Sequence, residues 1–197
     1  MITLTLLTLM SSGLLAENVM SEYSHLRSLL NSPKEAGPTR EMLVAVESSA
    51  RQLLSRPRPH DVSDAAWASI QATAYKGLGW HSMRSGNFTT AQQHFSRALA
   101  LNPNDGRLSY WTAYSIKEEG KPGWQSASIY HYVRAAVYDG LEALSNGQRA
   151  GVLDFAQRAY THHHGHDPDG FDELKNLCRR LPIPPPTFHI PSKAERD

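Results

Sequence analysis

The chain has 197 residues, 40% hydrophobic and 20% charged, with 20 basic against 19 acidic side chains and a formal net charge of +1. This is the composition of a globular chain able to bury its own core. It gives no block of one sign to mark a nucleic-acid footprint or a membrane surface, and its single cysteine, Cys178, excludes an intramolecular disulfide.

Residues 1–16, MITLTLLTLMSSGLLA, carry no charged side chain. The run is shorter than the roughly 20 apolar residues of a bilayer-spanning helix, so no integral membrane span is expected. Its length suits a secretory signal, with a candidate cleavage point after Ala16 and a secreted or periplasmic destination. Two features oppose that reading: no Lys or Arg precedes the run, and Leu14 is not the small residue favoured two places before Ala16. A first helix of the folded domain, or a tail that packs on it, is the competing reading, with a cytoplasmic location.

From residue 17 to 181 the pattern is that of a single helical domain. Val19, Met20, Tyr23, Leu26, Leu29 and Leu30 recur at steps of three and four, the spacing of one helical face. Pro33 and Gly37-Pro38 break this helix. A second carries Leu43, Val46, Ala50, Leu53 and Leu54 on one stripe and stops before Pro57 and Pro59, whose rings leave no amide to donate. Asp61 or Ser63 can accept an orphan amide at the start of a third helix, about 64–84. A turn at Ser85-Gly86 leads to a fourth, about 89–101, which ends at Asn102-Pro103. Helices continue beyond 107, and no segment alternates polar and apolar residues for long enough to form a strand. The fold class is all-α, built of antiparallel helix hairpins.

Residues 72–105 read ATAYKGLGWHSMRSGNFTTAQQHFSRALALNPND. Tyr75, Leu78, Gly79, Ala91, Phe95, Ala98 and Pro103 fall at the spacings of a helix-repeat signature about 34 residues long. On these residues the segment resembles a tetratricopeptide repeat. Ser82 departs from the pattern, since a large side chain is usual there. The resemblance implies that Gly79 and Ala91 are small where two helices cross, that Phe95 fills the space between hairpins, and that Gly86 supplies a left-handed turn. A weaker repeat covers 106–142. There Thr112-Ala113 replaces Leu78-Gly79, and Ser128, Tyr132 and Ala135 match Ala91, Phe95 and Ala98 across a turn longer by three residues. A degenerate hairpin is expected over 150–181, with Val152, Phe155, Ala159 and Tyr160 on one stripe and Leu174, Leu177 and Leu181 on another. The whole would be a short α-solenoid with flanking helices as caps. The tail 182–197, LPIPPPTFHIPSKAERD with its leading Leu181, is proline-rich and extended; its Phe188 and Ile190 either dock on the body or stay free. The apolar leader and the PPP-x-F ending are also similar to uncharacterised exported bacterial proteins built of such repeats.

Four histidines, His162, His163, His164 and His166, precede Asp167 and Asp169. These are ligand types for zinc, nickel or copper, and His162, His164, His166 and Asp167 are the candidate set for an alternative metal-binding or enzymatic role. Three consecutive helical residues point about 100° apart, however, and cannot all meet one ion. A solvated helix C-terminus, where cationic side chains oppose the dipole, is the plainer reading. The DPDG run lacks the remaining carboxylates of a calcium loop. No phosphate-binding loop, dinucleotide fingerprint, zincin or hydrolase motif is present, and Cys178, in an apolar-periodic stretch, reads as a small buried hydrophobe. Neither an enzymatic activity nor a cofactor is expected.

The resemblance implies instead a concave groove lined by the first helix of each repeat. Lys76, Trp80 and Met83 would face it from one repeat, and Arg107, Tyr110, Trp111, Tyr114 and Lys117 from the next. A peptide or a partner helix is the implied ligand, with homo-oligomers as a further option. Trp80 stands where chaperone-type members carry the asparagine of a carboxylate clamp, which puts that function in doubt.

Overall fold

The computed structural model describes residues 2–31 and 37–196, the side chains of 2–14 and 196 excepted. Helices α1 (Ile2–Asn31), α2 (Arg40–Ser55), α3 (Asp64–Arg84), α4 (Phe88–Leu101), α5 (Gly106–Glu119), α6 (Trp124–Val137), α7 (Asn146–His163), α8 (Phe171–Arg180) and the short α9 (Lys193–Arg196) are joined by turns, with no strand among the described residues. The side-chain surroundings of most of the candidate leader lie outside the described residues. Its backbone runs straight into α1, and no described helix is long and apolar enough to cross a membrane.

The helix starts follow from local chemistry. Thr39, Ser63, Asn87 and Asp105 each accept an amide of the first turn of α2, α3, α4 and α5, and Ser145 with Gln148 forms a reciprocal capping box on α7. Asn87, rather than a residue further on, starts α4, because Gly86 at φ 76° turns the chain tightly enough to bring it there. Gly120 ends α5 in the left-handed conformation that a side chain would oppose.

Consecutive helices pack in order from α1 to α7, and α3 also touches α1 and α5. The architecture is therefore α-solenoid-like. A first core gathers Leu26, Val46, Leu53, Ile70, Leu78, Phe95 and Leu108 from α1 to α5. At its centre α3 and α4 cross where Gly79 faces Phe95; a Cβ at Gly79 would strike the phenyl ring. In α1 the buried line is Val19, Leu26 and Leu30, while Met20 is 45% exposed. Met20 lies one residue, about 100°, off that line and so leaves the expected face.

A second core joins Ile129, Tyr130 and Val133 of α6 with Ala156 and Tyr160 of α7, Phe171, Leu174 and Cys178 of α8, and Ile190 of the tail. Here the structure departs from the expected third hairpin. Both α7 and α8 pack on α6, so α8 closes the end of the stack rather than running back along α7. Arg134, only 4% exposed, explains the placement: its guanidinium donates to the carbonyls of Cys178 at 2.9 Å and Arg179 at 3.3 Å, orphan acceptors at the end of α8, and to Asn104 Oδ1 at 3.2 Å.

The tail is docked. The Tyr130 hydroxyl donates to Leu181 O at 2.7 Å, and the Phe188 ring meets the Tyr130 ring edge-on at 4.8 Å. Ile190 is buried, with its amide on Ser126 Oγ at 3.0 Å and its carbonyl 3.0 Å from His163 Nε2.

Candidate functional site

Helices α3, α5 and α7 are the alternate members of the stack and present one side to a common concavity. Their apolar stripes are not fully consumed by packing, and what remains lines a cleft of about 760 Å³. Helix α3 gives Trp80 and Arg84; α5 gives Arg107, Tyr110, Trp111, Tyr114 and Lys117; α6 and α7 give Tyr132, Val152 and Phe155; Leu30, Pro38 and Met42 close the near end.

Six of the eight residues singled out from the sequence meet in this cleft: Trp80, Arg107, Tyr110, Trp111, Tyr114 and Lys117. The other two go elsewhere. Lys76 is buried and sits 2.5 Å from Asp105 and 3.8 Å from Glu142. Asp105 also caps α5 through Leu108 N at 2.8 Å, so the Lys76 ammonium ties α3 to the first turn of α5 and is spent on the fold. Met83 is 6% exposed within the first core. The face open to the cleft passes instead through Arg84, one turn after Trp80, which the sequence reading missed although the i+4 spacing from Trp80 points to it. Phe155, on the expected stripe of α7, is 38% exposed and lines the cleft. No local signal marked it, because its exposure depends on α8 packing on α6 and leaving that side of α7 open.

The aromatic rings form a connected wall. Trp80 and Trp111 lie 6.5 Å apart, Trp111 stacks on Phe95 at 6.2 Å, Tyr110 meets Tyr132 edge-on at 5.7 Å, and Tyr132 meets Phe155 edge-on at 4.9 Å. Burial pushes the Tyr132 phenol well above the usual tyrosine range, with Tyr110, Glu118 and Tyr114 adding to the shift; it stays neutral. The cations are held in place by the same rings and by neighbouring acceptors. Arg84 lies over Trp80 at 5.8 Å and Lys117 over Tyr114 at 5.7 Å. Arg107 donates to Asn31 Oδ1 at 2.6 Å, and Lys117 pairs with Glu118 at 2.5 Å. No Asp or Glu is among the described residues lining the cleft. Ordered aromatic faces with cations at their edges suit a ligand that is apolar along its length and negative at intervals.

The histidine run is not brought together as a ligand set. His163 is bound to the tail through Ile190 O, His164 Nδ1 lies 3.2 Å from Asp167 O, and the His162 and His166 rings meet edge-on at 5.7 Å. Among the described residues no group of three or more His, Cys, Asp or Glu side chains could hold a metal ion. Cys178 is buried, donates to Tyr130 O at 3.5 Å and has its thiol pushed up to about 12, chiefly by burial; burial disfavours the reactive thiolate.

The chain matches no family model, no curated protein and no solved structure.

Proposed function

We propose that this protein is an interaction module of the tetratricopeptide type that holds an extended or helical segment of another protein in the groove of α3, α5 and α7. The observation that carries the reading is the lining of the cleft. Six aromatic rings border it beside Arg84, Arg107 and Lys117, with Tyr110, Trp111, Tyr114 and Phe155 at least partly exposed and Trp80 and Tyr132 buried beneath them, and none of its described lining residues is a carboxylate. Such side chains dominate binding energy at interfaces. A partner segment with acidic residues interleaved with aromatic or aliphatic ones complements the surface, since unlike charges steer encounter. The tetratricopeptide assignment rests on the spacing of Tyr75, Leu78, Gly79, Ala91, Phe95, Ala98 and Pro103 and on the crossing of Gly79 with Phe95.

The test is selection of peptides from a random library on the full chain, followed by affinity measurements. Acidic, apolar-rich peptides are expected. The paired substitution Arg84→Glu and Lys117→Glu should weaken them by about tenfold or more, and Phe155→Ala should weaken them without loss of fold, because the ring is partly exposed. Changing His162 and His166 to Ala should leave affinity unaltered. Enrichment of basic peptides, or binding that survives the groove substitutions and disappears with the histidines, overturns the proposal.

A further inference from the structure

A second cavity, of about 440 Å³, lies between α6, α7 and the docked tail. Its size is within the range of roughly 300–1,000 Å³ typical of small-molecule sites. The buried side chains Ile129 and Tyr132 form its floor, with Phe155 and Ala159 of α7 along one side. The opposite wall is the tail itself, at Ser192, Lys193 and Ala194. This wall is built rather than loosely laid, because Ile190 is fixed two residues earlier by Ser126 and His163. Beyond it, Ser192 is bound through both its amide and its hydroxyl to Glu195 Oε2, at 2.7 and 2.8 Å.

The charged side chains among the described residues lining this cavity are two lysines. Lys117 and Lys193 border it beside the exposed His162, and none of its described lining residues is an Asp or Glu. Two carboxylates meet its lining residues from outside: Glu118 pairs with Lys117 at 2.5 Å and offsets that charge, and Glu195 is held by Ser192 and by His189 at 3.1 Å, which keeps its carboxyl at about 2. An apolar chamber bordered by cations selects a molecule with an apolar body and a single anionic end.

We propose that this cavity binds a medium-chain alkyl or arylalkyl carboxylate, its apolar body against Ile129, Tyr132 and Phe155 and its carboxylate toward Lys193 of the tail. The site adjoins the groove and shares Lys117, Tyr132 and Phe155 with it, but Ile129, Ala159 and Lys193 border this cavity alone.

The experiment is calorimetric titration of the full chain with decanoate, decanol and decyltrimethylammonium, each below its micellar concentration. Decanoate should bind saturably and about tenfold more tightly than decanol, with the cationic analogue weaker still. Lys193→Glu should weaken decanoate about fivefold and leave decanol unchanged. Ala159→Trp, which fills the chamber, should remove saturable binding of both, while Arg84→Glu in the groove should change neither. Equal affinity for decanoate and decanol, indifference to Lys193→Glu, retention of binding in a folded Ala159→Trp chain, or no saturable binding at all overturns the proposal. Should Ala159→Trp fail to fold, Lys193→Glu, a change on the exposed tail, decides alone.

Discussion

The two cores of this molecule are held by different means. Between α3 and α4 the fit is one of shape. Gly79 removes a side chain so that Phe95, fully buried, can reach the helix axis and still stack on Trp111 of α5. Between α6, α8 and the tail the fit is one of polar satisfaction. Arg134, Tyr130, Ser126 and His163 each meet a backbone group of a segment that is irregular or ending. A repeat unit can be specified by apolar spacing alone, because each helix satisfies its own amides. A closing segment has unpaired carbonyls and amides, and the body must supply their partners.

The comparison breaks most sharply at Phe95. Phe95→Ala should lower unfolding free energy by about 3–5 kcal/mol in urea denaturation, the cost of a ring-sized cavity in a close-packed crossing. Gly79→Leu should cost about 1–3 kcal/mol by overpacking the same contact. A loss below about 0.5 kcal/mol in both would mean the crossing is loose, against the close-packing argument.

Arg134→Met tests the other region. It keeps the stem and removes the donors, leaving the carbonyls of Cys178 and Arg179 and the Asn104 side chain without their partner; a loss of about 1–3 kcal/mol is expected. The same variant should expose the neighbouring thiol. In the parent chain Cys178 should react with a disulfide reagent only as fast as the region opens, since burial holds it at about 12. Faster labelling in Arg134→Met, with α3–α4 amides still protected from hydrogen exchange, would show the regions opening separately; equal exchange in both would show one cooperative unit.

A third contrast is in acid. His131 on α6 is buried with its Nδ1 unpartnered, and burial lowers it from 6.5 to about 4. His94 on α4 is lowered too, by burial first and then by Arg97 and Arg51. Between these limits the unfolded chain binds more protons than the folded one. Stability is therefore fully present above about pH 6.5 and falls as pH drops toward 4, by at most about 1.4 kcal/mol per unit for each histidine. His131→Phe should flatten this slope in denaturant titrations between pH 4 and 7, leaving the part due to His94. An unchanged slope would locate the acid sensitivity away from α6.

The last contrast concerns the tail. Ile190→Ala should cost about 2 kcal/mol if the tail is part of the second core, and should raise protease cleavage after residue 181. Cleavage at the parent rate with no loss of stability would make the docking incidental to the fold.

Much of the first region was legible in the chain because its determinants are local. The bounds of α3 follow from Ser63 as cap and Ser85-Gly86 as stop, and the α3–α4 crossing follows from the spacing of Gly79 and Phe95, all within one pair of helices. A shared side on α3 and α5 was implied by the resemblance, which placed Trp80, Tyr110, Trp111 and Tyr114 there, whereas the part of α7 in the cleft was not foreseen. What the sequence could not decide was how residues distant along the chain compete for one another. Lys76 belongs on the groove side by spacing, yet it pairs in the core with Asp105, 29 residues on, because a carboxylate buried at the cap of α5 would be costly without a cation beside it. Arg84 takes its place in the groove only because Met83 is used inside. The orientation of α8, the docking of Phe188 and Ile190 and the diversion of His163 from its neighbours to Ile190 O were set by polar partners 27 to 64 residues apart. Helices are written in spacing. Which polar group meets which is settled only when the packed helices leave some of them without water.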